Sequence, residues 1–126
     1  MKSPGRWQGL PNCDRRLTST LTEVECLRTL DRARVLREES EERLLIRHED
    51  YRAYISMFDL VELDSGILRR AAEPLPVALR TLDAIHLATA KCWEEEQDMK
   101  VLFVTHDQSL GRAARLMGLE VTGIRS

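Results

Sequence analysis

The chain has 126 residues, 43% of them hydrophobic, and this length and composition predict one compact domain with a single core. Its 19 basic and 21 acidic residues give a net charge of −2, so the overall charge gives no sign of the strongly basic surface that many nucleic-acid-binding domains carry. The sequence shows no apolar run of roughly 20 residues and no apolar N-terminal signal, so we expect a soluble cytoplasmic protein without a membrane span. It also has no CxxC pair, so we expect reduced cysteines and neither a disulfide framework nor a zinc knuckle.

The first half of the chain predicts an irregular lead-in, a strand and two helices. Residues 1–14 carry two prolines and two glycines and show little periodicity, so we place the start of the domain at residue 15 and its end at residue 126. The segment RLTST is a candidate short strand. Apolar residues at every third position from Leu21 to Leu30 predict a helix that runs to about Glu38. Ser40, followed by two glutamates, predicts the start of a second helix.

The second half of the chain alternates between strand and helix patterns. MFDLVEL and VLFVT are rich in strand formers, and LEVTGI predicts a last strand. Asp64 is placed to cap a short helix, ILRRAAE, and two longer helices follow, LDAIHLATAKCWEEEQ and DQSLGRAARLMG, the latter closed by Gly118. This alternation predicts a three-layer α/β domain in which a central parallel sheet is flanked by helices and joined by right-handed crossovers.

Asp107 stands directly after the predicted strand VLFVT. Ligands of open parallel sheets collect beyond the carboxyl ends of the strands, so this position favours a role in chemistry. Aspartate is also a favoured N-cap, and its side chain could satisfy the free backbone N–H groups at the start of the next helix. The two roles are compatible, and position alone does not choose between them.

Asp83 lies near the start of the helix in RTLDAIHLATA. It shares a helical face with Leu87 and Ala90, which predicts that its carboxylate lies along an apolar stripe. A buried acid must be capped, paired, protonated or bound to a metal. Because Asp83 is close to the helix start, an N-cap role is the alternative to a metal-binding role.

Two glutamates of the first helix are further candidates. Glu25 shares the face of Leu21, whereas Glu23 lies nearer Leu27, so periodicity does not choose between them. For either residue taken singly, a solvated helix face is the ordinary alternative.

Three segments in this order resemble the PIN-domain nucleases, and most closely the VapC-type toxins of bacterial toxin–antitoxin pairs. The resemblance covers about residues 17–124 and favours Glu25 over Glu23, because the family's glutamate matches Glu25. The segments are Ser19-x-x-Thr22-x-x-Glu25-Cys26-Leu27, RTLDAIHLATA and FVTHDQSLGRAARLMGLEV.

The resemblance implies a PIN-like fold and an endoribonuclease that depends on Mg²⁺ or Mn²⁺ and hydrolyses RNA phosphodiesters. Glu25, Asp83 and Asp107 would be both catalytic residues and metal ligands. Thr105 and Ser19 would take supporting roles, Thr105 by holding a water or a carboxylate in place. A carboxylate cluster suits this chemistry, because divalent cations keep neighbouring acids ionised and stabilise the oxygens of a phosphoryl displacement. The implied partners are an RNA substrate, a small antitoxin whose helical segment lies in an apolar groove, and a second copy of the chain in a homodimer.

Other polar residues near the predicted site receive different interpretations. Mg²⁺ prefers oxygen to imidazole, so we interpret His86 and His106 as packing or hydrogen-bonding neighbours of the site. Several arginines on the predicted helices are candidates for RNA phosphate contact, with a solvated helix surface as the alternative. These arginines are Arg28, Arg32, Arg80, Arg112 and Arg115.

The sequence departs from the family pattern at its start. PIN domains of this type begin with a strand and a turn resembling LDTS, whose aspartate is the first acid of the site, and the segment MKSPGRWQGLPNCD offers no such strand. Asp14 follows no strand, so it is not assigned this role. Three explanations are a start codon placed too late, which we favour, a decayed gene, or a strand supplied by a partner chain.

These observations leave three function hypotheses. The leading one is the metal-dependent toxin ribonuclease, favoured by the survival of three acids in their motifs. The second is a catalytically inactive PIN relic that binds an antitoxin or itself, favoured by the missing first aspartate. The third is a phosphate- or signal-binding receiver module, which would need an acid pair after the first strand and a lysine after a late strand, and the sequence shows neither.

Overall fold

The computed structural model describes residues 15–125 of the chain. The predicted lead-in at residues 1–14, together with Asp14, therefore lies outside the described residues. Within residues 15–125, no helix combines the length and the apolar character that a membrane crossing would need.

Residues 15–125 contain five helices and four short strands, which alternate largely as the sequence predicts. In chain order the elements are β1 (Leu17–Ser19), α1 (Thr20–Arg37), α2 (Glu41–Ile55), β2 (Asp59–Val61), α3 (Ser65–Ala71), α4 (Thr81–Gln97), β3 (Leu102–Val104), α5 (Gln108–Leu116) and β4 (Glu120–Thr122).

The strands pair in parallel, in two separate two-stranded sheets. In the first sheet Leu17 of β1 lies opposite Asp59 of β2, and in the second Leu102 of β3 lies opposite Glu120 of β4. Each pair is connected through helices, as parallel pairing requires. The predicted α/β fold with parallel strands is confirmed.

The described residues divide into two compact units, with the boundary between Glu62 and Leu63. The first unit holds β1, α1, α2 and β2, and the second holds α3, α4, β3, α5 and β4. The prediction of a single domain over residues 15–126 stays a prediction.

The buried hydrophobic core of the second unit forms where α4, α5 and the residue just before β4 pack together. Leu87 of α4 is fully buried, and it clusters with Leu110, Ala113, Ala114 and Leu119. The two alanines on one face of α5 carry short side chains, so the helix can approach its neighbours closely. In contrast, the helices α1 and α2 of the first unit contain no buried residue.

Side-chain caps fix several helix starts where the sequence predicts them. Ser40 accepts a hydrogen bond from the backbone N–H of Arg43 at the start of α2. Asp64 accepts one from Ile67 at the start of α3. Gly118 has a φ of +89° after α5, so the predicted glycine end of that helix is also confirmed.

Candidate functional site

Asp107 is the N-cap of α5. Its Oδ1 accepts a hydrogen bond from the backbone N–H of Leu110 at 2.9 Å, and its own backbone N–H donates to Thr105 Oγ1 at 3.1 Å. The cap interpretation is therefore confirmed, and Thr105 holds the loop that carries the aspartate. The side chain is exposed, and its second oxygen, Oδ2, accepts no hydrogen bond from another described residue. Capping thus leaves one carboxylate oxygen available to a ligand.

Asp83 lies in the first turn of α4, but it is not the N-cap. The cap position is Arg80, so the N-cap interpretation of Asp83 is wrong. The side chain of Asp83 is 24% exposed, and the Nε of the highly exposed Arg80 lies 3.8 Å from its Oδ2. Leu87, one turn along, is fully buried, so Asp83 stands at the edge of an apolar stripe. A carboxylate in the first turn is also favoured by the positive end of the helix dipole.

The two glutamates of α1 have different surroundings. Burial raises the pKa of Tyr51 in α2, and the neighbouring carboxylate of Glu23, which bonds the Tyr51 hydroxyl, raises that pKa further. Glu23 therefore serves the contact between α1 and α2. Glu25 is half-buried, and its backbone carbonyl accepts a hydrogen bond from Thr29 Oγ1 at 2.8 Å. The choice of Glu25 over Glu23 as a site residue stays a prediction.

The three predicted acids are distributed between the two compact units. Asp83 and Asp107 lie in the second unit, and Glu25 lies in the first. In the part of the chain that the structure describes, no group of three or more His, Cys, Asp or Glu side chains is arranged to hold a metal ion. The donor chemistry of the set fits Mg²⁺ or Mn²⁺, because all three residues offer carboxylate oxygens and one oxygen of Asp107 accepts no hydrogen bond from residues 15–125.

The supporting residues and the two histidines sit close to the acids in sequence. Ser19 is buried at the N-cap position of α1, and its side chain makes no capping hydrogen bond there. His86 is half-buried in α4, three residues after Asp83. His106 lies next to Asp107, and its Nδ1 is 3.0 Å from the backbone oxygen of Gly123. His106 therefore belongs to the loop that carries Asp107 and connects this loop to Gly123.

The arginines proposed to contact RNA are exposed. Arg28 pairs with Asp31 at 3.1 Å, and Asp31 also pairs with Arg34, whose guanidinium lowers the pKa of the Asp31 carboxyl. Part of the charge of Arg28 is therefore compensated. Arg80, with 87% of its side chain exposed, likewise lies within ion-pair distance of Asp83, and Arg112 on α5 is exposed.

Sequence reasoning missed the segment that follows β4. Gly123 and Arg125 both contact the region around Asp107, through His106 and Gln108 respectively. The only sequence signal was a glycine at the end of the predicted strand LEVTGI, which marks a possible close approach of backbones without naming the partner.

The family model of the PIN domain matches residues 2–116, which is most of the chain. The chain belongs to the PIN-domain family. Among PIN-domain relatives, Ribonuclease VapC35 of Mycobacterium tuberculosis is 37% identical over 105 residues, which cover 83% of this chain and 70% of the relative. Ribonuclease VapC46 of the same species is 40% identical over 70 residues, 56% of this chain and 52% of the relative. These relatives confirm the resemblance of this PIN-domain protein to the VapC-type group. No solved structure matches it with comparable significance.

Proposed function

We propose that this PIN-domain protein is a metal-dependent endoribonuclease and the toxin component of a toxin–antitoxin pair. The observation that carries the proposal is the 37% identity to Ribonuclease VapC35 over 83% of the chain, within a family match that includes most of its residues. The three predicted acids all lie inside that family match.

In this proposal Glu25, Asp83 and Asp107 hold Mg²⁺ or Mn²⁺. When bound, such an ion activates water and stabilises the charge that develops on the phosphate oxygens of an in-line displacement. Other residues of the chain hold the proposed ligand Asp107 in position. The α5 cap restrains Asp107 through Oδ1 and leaves Oδ2 for a ligand, and Thr105 holds the backbone of Asp107 in the loop.

The RNA contacts in the proposal come from Arg28, Arg80 and Arg112. All three side chains are exposed, and guanidinium groups bind phosphate oxygens through paired hydrogen bonds. Contacts of this kind position an RNA without reading its sequence. Arg80 carries most weight, because it lies on the same helical turn as Asp83, beside the proposed metal site.

The proposed partners are a small antitoxin and a second copy of the chain. The relatives are VapC ribonucleases, and the VapC-type resemblance implies both associations. Light scattering during size-exclusion chromatography measures the mass of the isolated protein and therefore tests whether it forms a homodimer. A mass of one chain at all accessible concentrations would contradict it.

Mn²⁺ titration calorimetry tests the proposed metal site. We expect the parent chain to bind Mn²⁺ and the double variant Asp83→Asn, Asp107→Asn to lose binding, because amides replace the anionic ligands. The matched control is the double variant Asp64→Asn, Asp98→Asn, which removes the same charge from the same compact unit. Asn at both control positions is compatible with the local structure, since Asp64 is a helix N-cap and Asp98 has a φ of +50°. This control should bind Mn²⁺ as the parent does.

RNA cleavage assays complete the test. The parent and the control should cleave RNA with Mg²⁺ or Mn²⁺ and stop when EDTA removes the ion, and the site variant should be inactive with either ion. A folded parent that neither binds Mn²⁺ nor cleaves RNA would overturn the proposal. In that case the alternative, an inactive PIN protein that binds an antitoxin or itself, becomes the better description.

A further inference from the structure

The loop that carries Asp107 is tied to the chain segment that follows β4. We call residues 123–125 the C-terminal segment. His106 Nδ1 lies 3.0 Å from the carbonyl oxygen of Gly123, and the backbone N–H of Arg125 donates to Gln108 Oε1 at 2.8 Å. The residues on both sides of Asp107 are therefore bonded to the C-terminal segment.

The backbone of Gly123 lies so close to the backbone of Thr105 that any residue with a Cβ atom would force a local rearrangement. Its φ is +100°, a conformation that L side chains rarely adopt. A Cβ atom at this position would lie 2.4 Å from the carbonyl oxygen of Thr105 and 3.1 Å from its carbonyl carbon, far inside van der Waals contact. The backbone N–H of Thr105 also donates to the carbonyl of Thr122 at 3.1 Å. The backbone at Thr105, two residues before Asp107, is thus packed directly against the backbone of Gly123.

The hydrogen bond between His106 and Gly123 fixes the orientation of the imidazole ring. A backbone carbonyl oxygen can only accept, so Nδ1 of His106 carries the hydrogen and donates it to Gly123. This fixes the ring relative to a residue that is 17 positions away in the chain. A further contact lies one turn into α5, where a Cβ on the buried Gly111 would come within 2.6 Å of Ile124 Cδ1. The C-terminal segment therefore contacts the Asp107 loop and the first turns of α5 together.

We propose that Gly123 and His106 are positioning residues for Asp107. They hold the two residues that precede Asp107, Thr105 and His106, against the C-terminal segment, while the α5 cap holds only one oxygen of the carboxylate. The inference rests on the proposed function for the role of Asp107 as a metal ligand. Residues that orient a metal ligand typically change metal affinity or activity by about 10- to 100-fold when they are replaced. In this proposal Gly123 and His106 act through Asp107, and neither is itself a metal ligand.

Four single variants of the full chain test the proposal. Gly123→Ala removes the close approach, and His106→Leu removes the donor with little change in volume. His106→Asn supplies a conservative rescue, because its side-chain amide can donate from near the position of Nδ1. Gly118→Ala is the matched control, since Gly118 also has a positive φ of +89° but faces only the Nζ atom of Lys91, at 3.9 Å.

The decisive readout is the dissociation constant for Mn²⁺ by calorimetry. We expect it to rise by about tenfold or more in Gly123→Ala and His106→Leu, to return to within about threefold of the parent in His106→Asn, and to stay unchanged in Gly118→Ala. RNA cleavage by the two weakened variants should recover at saturating Mn²⁺. A merely structural role would reduce the fraction of folded, binding-competent protein without changing the affinity of each folded molecule. Unchanged Mn²⁺ affinity in both Gly123→Ala and His106→Leu would overturn the proposal.

Amide hydrogen exchange separates this inference from the proposed function. The backbone N–H of Leu110 is bonded to Asp107 Oδ1, so its exchange rate reports how well Asp107 is held. Exchange at Leu110 should accelerate in Gly123→Ala and His106→Leu but not in Gly118→Ala, whether or not a metal binds. If the parent binds no Mn²⁺, the proposed function fails and this comparison still decides the positioning role. Equal exchange at Leu110 in all variants would reject it.

Discussion

Asp107 has one oxygen in the α5 cap and one without a hydrogen-bond partner among the described residues. The two roles, cap and proposed ligand, make different demands on the side chain. The cap needs an acceptor oxygen, which asparagine also provides, whereas a cation is best held by a full negative charge. Substitutions can therefore separate the two roles at this single position.

Asp107→Asn and Asp107→Ala should both lose Mn²⁺ binding but differ in stability. Alanine removes the acceptor and should cost about 1 kcal/mol of unfolding free energy, and asparagine should cost less. Asp64, the N-cap of α3, is the matched position, because its Oδ1 accepts from Ile67 N–H at 2.8 Å in the same way. Asp64→Ala should lose similar stability and keep Mn²⁺ binding. Urea unfolding and calorimetry measure both quantities, and retained Mn²⁺ binding in Asp107→Ala would contradict the ligand role.

At the scale of elements, an ion pair joins α3 to α4. The Nη1 and Nη2 atoms of Arg70 contact the two carboxylate oxygens of Glu95 at 2.5 and 3.1 Å, a two-pronged geometry that strengthens the interaction. The hydrogen bond from Arg70 lowers the pKa of Glu95 below its ordinary value of 4.5. A carboxyl with a lowered pKa stabilises the folded state fully above its unfolded pKa and loses this contribution as the pH falls through its folded pKa.

Arg70→Gln should therefore destabilise the protein at pH 7, and this effect should become smaller as the pH falls through the lowered pKa of Glu95. The expected loss at pH 7 is about 0.5 kcal/mol, because Glu95 is half-exposed and solvent weakens the pair. Arg69→Gln is the control, since it removes the same charge from the last turn of α3. Urea unfolding of both variants from pH 7 to pH 3 measures the difference. A difference between the two variants that persists undiminished at pH 3 would show that Arg70 acts through packing instead of through Glu95.

At the scale of the molecule, burial is distributed unevenly between the two compact units. Four residues of α4 and four of α5 are buried, and none of α1 or α2 is. Several apolar side chains of α1 and α2 are more than half exposed. They are Val24, Val35, Leu36, Leu45 and Ile46. Helices with few buried apolar side chains open locally at low free energy, so stability should differ along the chain.

Hydrogen exchange of the isolated protein should reveal this difference. Amides in the middle of α4 and α5 should exchange at least about tenfold more slowly than amides in the middle of α1 and α2. Mass spectrometry of peptides from the four helices measures the rates after correction for intrinsic exchange. Equal protection that disappears on dilution would instead indicate that association of two chains covers α1 and α2, as the proposed homodimer allows. Equal protection at every concentration would contradict the expectation drawn from burial.

The sequence by itself determined the secondary structure and the family. Ser40, Asp64 and Gly118 mark helix ends through hydrogen bonds and φ values set within three or four residues, so their pattern is visible in the chain. The alternation of strand and helix segments predicted parallel pairing for the same local reason. The family could be recognised from the acidic motifs for the same reason, because each motif is a short, local stretch of sequence.

Only the tertiary structure decided the surroundings of the candidate site residues. It gave Glu23 a partner in Tyr51, put Arg80 in place of Asp83 at the start of α4, and packed Gly123 against the backbone of Thr105. The first and third contacts join residues 18 or more positions apart, and neither periodicity nor capping preference specifies such partners. The second depends on where the chain after α3 turns into α4, which packing decides. Local sequence therefore determined which residues have side chains suited to the candidate site. Packing determined which of these side chains are held in place or paired with another residue.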